Sequence, residues 1–157
     1  MFTQGRIDGV VEKDLKKYAD ERGWLTELFR RDEIDDEFIP LMGYISMTKS
    51  GLTRGPHEHA SQADNFCFIG PSNFDVYMWD NRKKSRTFMT SQIISAGDDN
   101  PKFITIPPGV VHAYKNVGKV SGLVINCPNQ LYAGWGRKQA VDEIRHEDDP
   151  NTIFKLG

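Results

Sequence analysis

The segments Gly51-Leu52-Thr53-Arg54-Gly55-Pro56-His57-Glu58-His59 and Pro107-Pro108-Gly109-Val110-Val111-His112-Ala113-Tyr114-Lys115-Asn116 decide how this chain is read. The first has the pattern G-x5-H-x-H and the second P-x-G-x2-H-x3-N, and together they carry three of the four histidines. On a strand, an H-x-H pair aims both imidazoles at one face, because side chains alternate with a period of two. The order of the two segments, and the strand-like runs between them, make the pair more specific than either alone.

Working outward from these motifs, short runs with an alternating pattern recur at residues 43–48, 65–69, 74–79, 87–94, 103–106, 111–115 and 120–126. The breaks between them carry turn chemistry: Lys49-Ser50-Gly51, Gly70-Pro71-Ser72-Asn73, Asn81-Arg82-Lys83, Gly97-Asp98-Asp99-Asn100-Pro101 and Asn116-Val117-Gly118. That spacing predicts an all-β sandwich or barrel. In the run 74–79, Phe74, Val76 and Met78 fall on one face, expected to pack. Asp75, Tyr77 and Trp79 fall on the other, a candidate cavity wall. Helix is scarce, with a turn or two expected over 13–18 and another in the polar tail from Gln139. The charge-dense stretch 142–149 reads as a solvated terminal segment, which leaves His146 outside the site.

A length of 157 residues fits one domain, 1–157, large enough to bury its own core. A net charge of -2, with cations scattered among acids, gives no sign of a nucleic-acid surface, and the expected partner is a small molecule or a second copy of the chain. Cys67 and Cys127 lie in apolar strand-like runs and read as buried thiols, not catalytic ones. No signal peptide and no bilayer-length apolar run is evident, so the expectation is a cytoplasmic protein with no membrane partner.

The two histidine segments resemble the paired signatures of the cupin superfamily, which implies a jelly-roll barrel with His57, His59 and His112 converging at its mouth. More narrowly, the chain resembles the dTDP-4-dehydrorhamnose 3,5-epimerase family over residues 9–150. The resemblance rests on Asp20-Glu21-Arg22-Gly23-Trp24-Leu25-Thr26-Glu27, Ser46-Met47-Thr48, Arg54-Gly55-Pro56-His57, Trp79-Asp80-Asn81-Arg82-Lys83-Lys84-Ser85-Arg86-Thr87-Phe88 and Ile106-Pro107-Pro108-Gly109-Val110-Val111-His112. It implies an epimerase acting on a nucleotide-linked 4-keto-6-deoxy sugar without a required cofactor. His57 then matches the base that removes the proton next to the keto group, a task suited to imidazole because it titrates near neutrality. His59 or Tyr132 manages the returning proton, and His112 polarises the keto oxygen. Arg54 matches the residue on the diphosphate, for which a planar bidentate donor is suited. Ser46 is counted with it, and Arg22 and Glu27 match positions that reach a neighbouring subunit's nucleotide in a homodimer.

The departures from the family pattern are as informative. The family's active-site lysine falls at Ala63. The carboxylate that orients the base comes from a carboxy-terminal segment that the chain is expected to lack. His59 replaces a common glutamine, which also fits sugar 3,4-ketoisomerases and restores the metal-binding pattern of other cupins. In that alternative, His57, His59, Asp64 and His112 hold zinc, iron, manganese or nickel. A further alternative is a non-catalytic cupin that binds sugar nucleotides.

Overall fold

In the computed structural model, which describes residues 1–156, the chain is almost entirely strand and turn. The strands are β1 (Thr3–Gln4), β2 (Val11–Asp14), β3 (Tyr18–Asp20), β4 (Gly23–Leu25), β5 (Tyr44–Thr48), β6 (Thr53–Glu58), β7 (Asp64–Phe68), β8 (Asn73–Asp80), β9 (Thr90–Gly97), β10 (Lys102–Ile106), β11 (Val110–Asn116), β12 (Gly122–Asn126) and β13 (Ile144–Arg145). A six-stranded sheet runs β1-β9-β8-β11-β6-β13, a five-stranded sheet runs β2-β10-β7-β12-β5, and β3 and β4 form a separate hairpin. The two large sheets face each other across one core, the jelly-roll arrangement that the resemblance implies. No helix among the described residues is long and apolar enough to cross a membrane.

Alternation along each strand builds the core and then the site. Phe74, Val76 and Met78 of β8, Ile94 and Ala96 of β9, and Val110 and Tyr114 of β11 meet Phe66, Phe68, Ile104, Ile106 and Val124 from the other sheet. Full burial of each such side chain is worth about 1.5–3 kcal/mol. Toward one end the same inward positions turn polar: β7 reads Phe68, Phe66, Asp64, and β12 reads Val124, Asn126, with Asp64, Asn126 and His112 almost inaccessible. The interior is thus continuous, apolar at one end and hydrogen-bonding at the other.

Several expectations are corrected. The stretch 13–18 is not helical, because residues 11–14 pair with β10 and residues 18–20 with β4. The tail forms only short 3-10 turns and a two-residue strand, not a helix. Nor do Tyr77 and Trp79 line a cavity: the outer face of β8 is covered by Phe2 and Phe154, with Trp79 buried among Val111, Ala113 and Phe154. Residues 53–58, absent from the sequence-predicted runs, form the strand that carries the H-x-H motif.

Gly55 is what lets β6 serve the site. It adopts φ +84°, and a Cβ there would lie 2.6 Å from the His112 carbonyl oxygen and 3.1 Å from His57 Nδ1. The β6–β11 register shifts between His112 and Tyr114, a bulge that leaves His57 directly opposite His112.

Beside this strand, the fully buried Asp80 fixes the loop after β8. Its carboxylate accepts hydrogen bonds from the Arg82 backbone N–H (3.0 Å) and Nε (2.8 Å) and from the Ser85 and Thr87 hydroxyls (2.6 Å each). Burial pushes the carboxyl upward, but these bonds outweigh it and hold the group well below the usual carboxylate range. Asp80→Asn is expected to cost about 3 kcal/mol at pH 7 in urea unfolding. Because the folded pKa lies below the unfolded one, this contribution is complete above about pH 5 and fades as pH falls through the carboxylate range. The gap between wild type and variant should therefore narrow by about pH 3; a gap constant with pH would show that the charge is not the source.

Candidate functional site

The polar end of the interior opens into a cavity of about 860 Å³. His57 and His59 on and just after β6, Tyr44 and Ser46 on β5, Arg54 on β6, and Tyr132 all line it. The imidazoles converge as the motifs imply, with ring centroids 4.5 Å apart for His57 and His112, 5.6 Å for His57 and His59, and 5.9 Å for His59 and His112.

Asp64 sits at the centre of this cluster. Its Oδ2 lies 3.1 Å from both His59 Nε2 and His112 Nε2, and its Oδ1 accepts from Gln62 Nε2 (2.9 Å) and Asn126 Nδ2 (2.8 Å). His112 Nδ1 donates to the Val110 carbonyl at 3.0 Å and His59 Nδ1 to the Asp142 carbonyl. Carbonyls only accept, so both Nδ1 atoms carry hydrogen. Burial works against charge on His59, but the contact with Asp64 and the Asp142 carbonyl prevail and push it up to about 9. Burial likewise opposes ionisation of Asp64, and the two imidazoles overcome it and hold the carboxyl far below its usual value. His59 and Asp64 therefore face each other as an ion pair at pH 7.

His57 lies in a different environment. Burial, reinforced by His112, holds its imidazole well below the ordinary value, so it is neutral at pH 7. Its Nδ1 lies 3.9 Å from Glu147 Oε2, a buried oxygen with no hydrogen-bond partner among the described residues. The other Glu147 oxygen is held by Arg145 at 2.7 Å. With Nδ1 on the Glu147 side, Nε2 is the nitrogen left for a ligand.

Two expectations about the tail are thus overturned. The segment is not simply solvated: Ile144 and Arg145 pair with Glu58 and His57, and Asp142 accepts from the backbone N–H groups of Ala60, Ser61 and Gln62 at 2.8, 2.8 and 2.9 Å. Nor is a carboxy-terminal carboxylate lacking beside His57, since Glu147 Oε2 lies 3.9 Å from its Nδ1. Sequence reading missed Glu147, Arg145, Asp142 and Asn126. His146 stays out of the cavity, bonded to Glu58 Oε1 at 2.9 Å.

The remaining sequence-predicted residues are dispersed. Arg54 is anchored at the rim by Thr48 Oγ1 (3.1 Å) and the Met47 carbonyl (2.8 Å), which leaves guanidinium hydrogens free for an anion. Ser46 Oγ meets the Tyr114 hydroxyl at 3.0 Å. Tyr132 is 58% exposed on the loop after β12. Ala63 is wholly buried and does not line the cavity. Arg22, paired with Asp20, and Glu27, 3.7 Å from Arg30, lie on and after the β3–β4 hairpin, outside this chain's own cavity.

The four donors His57, His59, Asp64 and His112 fall within 4.8 Å of one another. Asp64 Oδ2 and His112 Nε2, buried and without aligned partners, are what a divalent ion would satisfy, so the residues present fit a metal.

Comparison with known proteins places this geometry in context. The family model for dTDP-4-dehydrorhamnose 3,5-epimerase matches residues 4–151. The spore coat polysaccharide biosynthesis protein SpsL of Bacillus subtilis is 35% identical over 149 residues, covering 94% of this chain and 93% of that protein. The probable low-salt glycan biosynthesis epimerase Agl13 of Haloferax volcanii is 38% identical over 128 residues, covering 80% and 81%. In fold, the crystal structure of a dTDP sugar isomerase from Desulfovibrio desulfuricans superposes with a TM-score of 0.82 at 20% identity, covering 96% of this chain and 91% of that one.

Proposed function

The chain belongs to the dTDP-4-dehydrorhamnose 3,5-epimerase family, and on that premise we propose that it epimerises a dTDP-linked 4-keto-6-deoxy hexose with His57 as the base. The observation that carries this reading is the His57–Glu147 pair: a neutral imidazole on the cavity wall, with a partly buried carboxylate beside its Nδ1 whose inaccessible Oε2 is unused. A base must be unprotonated before the reaction and stabilised once it holds the proton. Glu147 supplies that stabilisation by drawing in the imidazolium as it forms.

Removing a proton next to the keto group leaves an enolate, whose developing charge needs donors fixed in advance. The imidazolium of His59, locked by Asp64 and the Asp142 carbonyl, charges that wall of the cavity; His112, buried behind it with Nε2 3.1 Å from Asp64, does not line the cavity and so does not take the role at the keto oxygen that the resemblance implied. No cofactor is required for this chemistry. Arg54 binds the diphosphate at the rim. Arg22 and Glu27, displayed away from their own cavity, act on the nucleotide in the second subunit of a homodimer; a monomer by light scattering at micromolar concentration would remove that role.

Heating the protein with and without dTDP tests the substrate class. A ligand present at 100 times its Kd stabilises the folded state by about 2.7 kcal/mol, an upward shift of about 5–10 °C for a chain of this size. Arg54→Ala should lose most of the shift while its midpoint without ligand stays near wild type. If dTDP, UDP, GDP and CDP at millimolar concentration all leave the midpoint in place, the nucleotide-sugar reading is wrong.

A second reading rests on Asp64 Oδ2 and His112 Nε2, buried 3.1 Å apart with no aligned hydrogen bond. In it, His57, His59, Asp64 and His112 hold zinc, iron, manganese or nickel as a Lewis acid for the keto oxygen. Elemental analysis decides between the two: about one metal per chain, lost in His112→Asn, supports the metal reading, and a metal-free active protein excludes it.

A further inference from the structure

Glu147 is brought beside His57 by a segment with few means of holding it there. Strand β13 is only two residues long, and the Arg145 guanidinium that meets Glu147 Oε1 at 2.7 Å is half exposed. An ion pair so open to water holds a side chain weakly. The residue before Glu147 supplies a firmer grip.

Strand β13 lies along the edge of β6, with Arg145 opposite His57 and Ile144 opposite Glu58. Alternation along β6 sends His57 into the cavity and Glu58 to the outer face of the sheet. The 3-10 turn His146–Asp148 divides in the same way: Glu147 lines the cavity, while His146 lies on the outer face and its Nε2 donates to Glu58 Oε1 at 2.9 Å. That oxygen also accepts from Asn81 Nδ2 at 2.9 Å, in the loop that Asp80 fixes. Glu58 is 7% exposed, so its carboxylate has little water to turn to instead. Phe154 closes over the imidazole, with ring centroids 4.6 Å apart, and is itself packed against Trp79 and Phe2. Two adjacent residues thus clasp β6 from its two faces.

Resting on the epimerase reading above, we propose that His146, held by Glu58 and Phe154, is the positioning residue that keeps Glu147 against His57. It does not line the cavity itself. With the outer grip gone, the turn is free to swing off the edge of β6, and the carboxylate leaves the imidazolium that it stabilises. Asp142, which caps the backbone at 60–62, anchors the segment on its amino-terminal side, so the loosening is confined to the residues after it.

The test is a double-mutant cycle on a dTDP-4-keto-6-deoxy hexose, with amide hydrogen exchange of residues 143–148 followed alongside. A misplacement of about 1 Å can cost about 100-fold, so His146→Leu should lower kcat at least about tenfold with the dTDP thermal shift unchanged. Amide exchange at 143–148 should become at least about tenfold faster. His146→Gln, whose side-chain amide still donates to Glu58, should bring both back to within about threefold of wild type. In a Glu147→Gln background, His146→Leu should lower kcat by no more than about a further twofold, because the group it positions is already gone. A loss there as large as in the wild-type background overturns the proposal, as does wild-type kcat in either His146→Leu or Glu147→Gln alone. Wild-type protein that turns over no 4-keto sugar overturns the epimerase reading, and hydrogen exchange then decides the grip by itself: faster exchange in His146→Leu supports it, and unchanged exchange overturns it.

Discussion

Replacing His57 with asparagine should lower epimerisation by about 10³-fold or more, with the fold and dTDP affinity nearly unchanged. Asparagine keeps a hydrogen-bonding side chain of similar reach beside Glu147 but cannot accept a proton from carbon. The loss should appear in kcat and in deuterium exchange together, because no other side chain at that wall is both neutral and backed by a carboxylate: His59 is held as its cation by Asp64. A variant that loses dTDP binding instead would place His57 in nucleotide recognition. One that keeps full exchange would move the base elsewhere.

The second large effect is on stability. Asp64→Ala removes the buried acceptor shared by Gln62 and Asn126, together with the carboxylate oxygen that lies 3.1 Å from both His59 and His112. Breaking a buried pair by deleting one partner costs about 3–5 kcal/mol, since the groups left behind are unpaired. For a chain of this length that corresponds to about 10 °C in Tm. Calorimetry showing a loss of only one or two degrees would mean that the cluster is looser than its contacts indicate. Asp64→Asn should recover part of the loss, because the amide oxygen still accepts from Gln62 or Asn126.

How far the sequence could be read follows from where its signals are local. The alternating runs found most of the strands of both sheets, because apolar side chains recur with a period of two, as along β8, where burial alternates from Asn73 to Met78. Strand β2 lacks that signal: all four of its residues are exposed, so nothing in the pattern opposed a helical reading from Lys13 onward. Strand β6 was hidden by Gly55-Pro56, residues that usually end a strand but here form a bulge against β11. The histidine cluster was legible because each member lies in a motif. Asp64 was legible only as a candidate metal ligand, and its position between two imidazoles depends on β7 entering the site from the other sheet.

The tail could not be read by composition, since an acid that caps three backbone N–H groups looks the same in sequence as one facing water. Glu147 gains its meaning only when β13 pairs with β6 and carries the carboxylate to His57. Asn126 was missed for a related reason: its partners Tyr44 and Asp64 are distant along the chain, and only the pairing of β12 with β5 and β7 brings them together.

The central claim, that this cavity moves a proton at the carbon next to a keto group, is tested most directly by incubating the wild-type protein with a dTDP-4-keto-6-deoxy hexose in D2O and measuring deuterium by mass spectrometry. The account predicts deuterium in an epimerised product, absent when His57→Asn replaces the wild type. Sugar recovered with neither deuterium nor inversion, from protein that still binds dTDP, would contradict it.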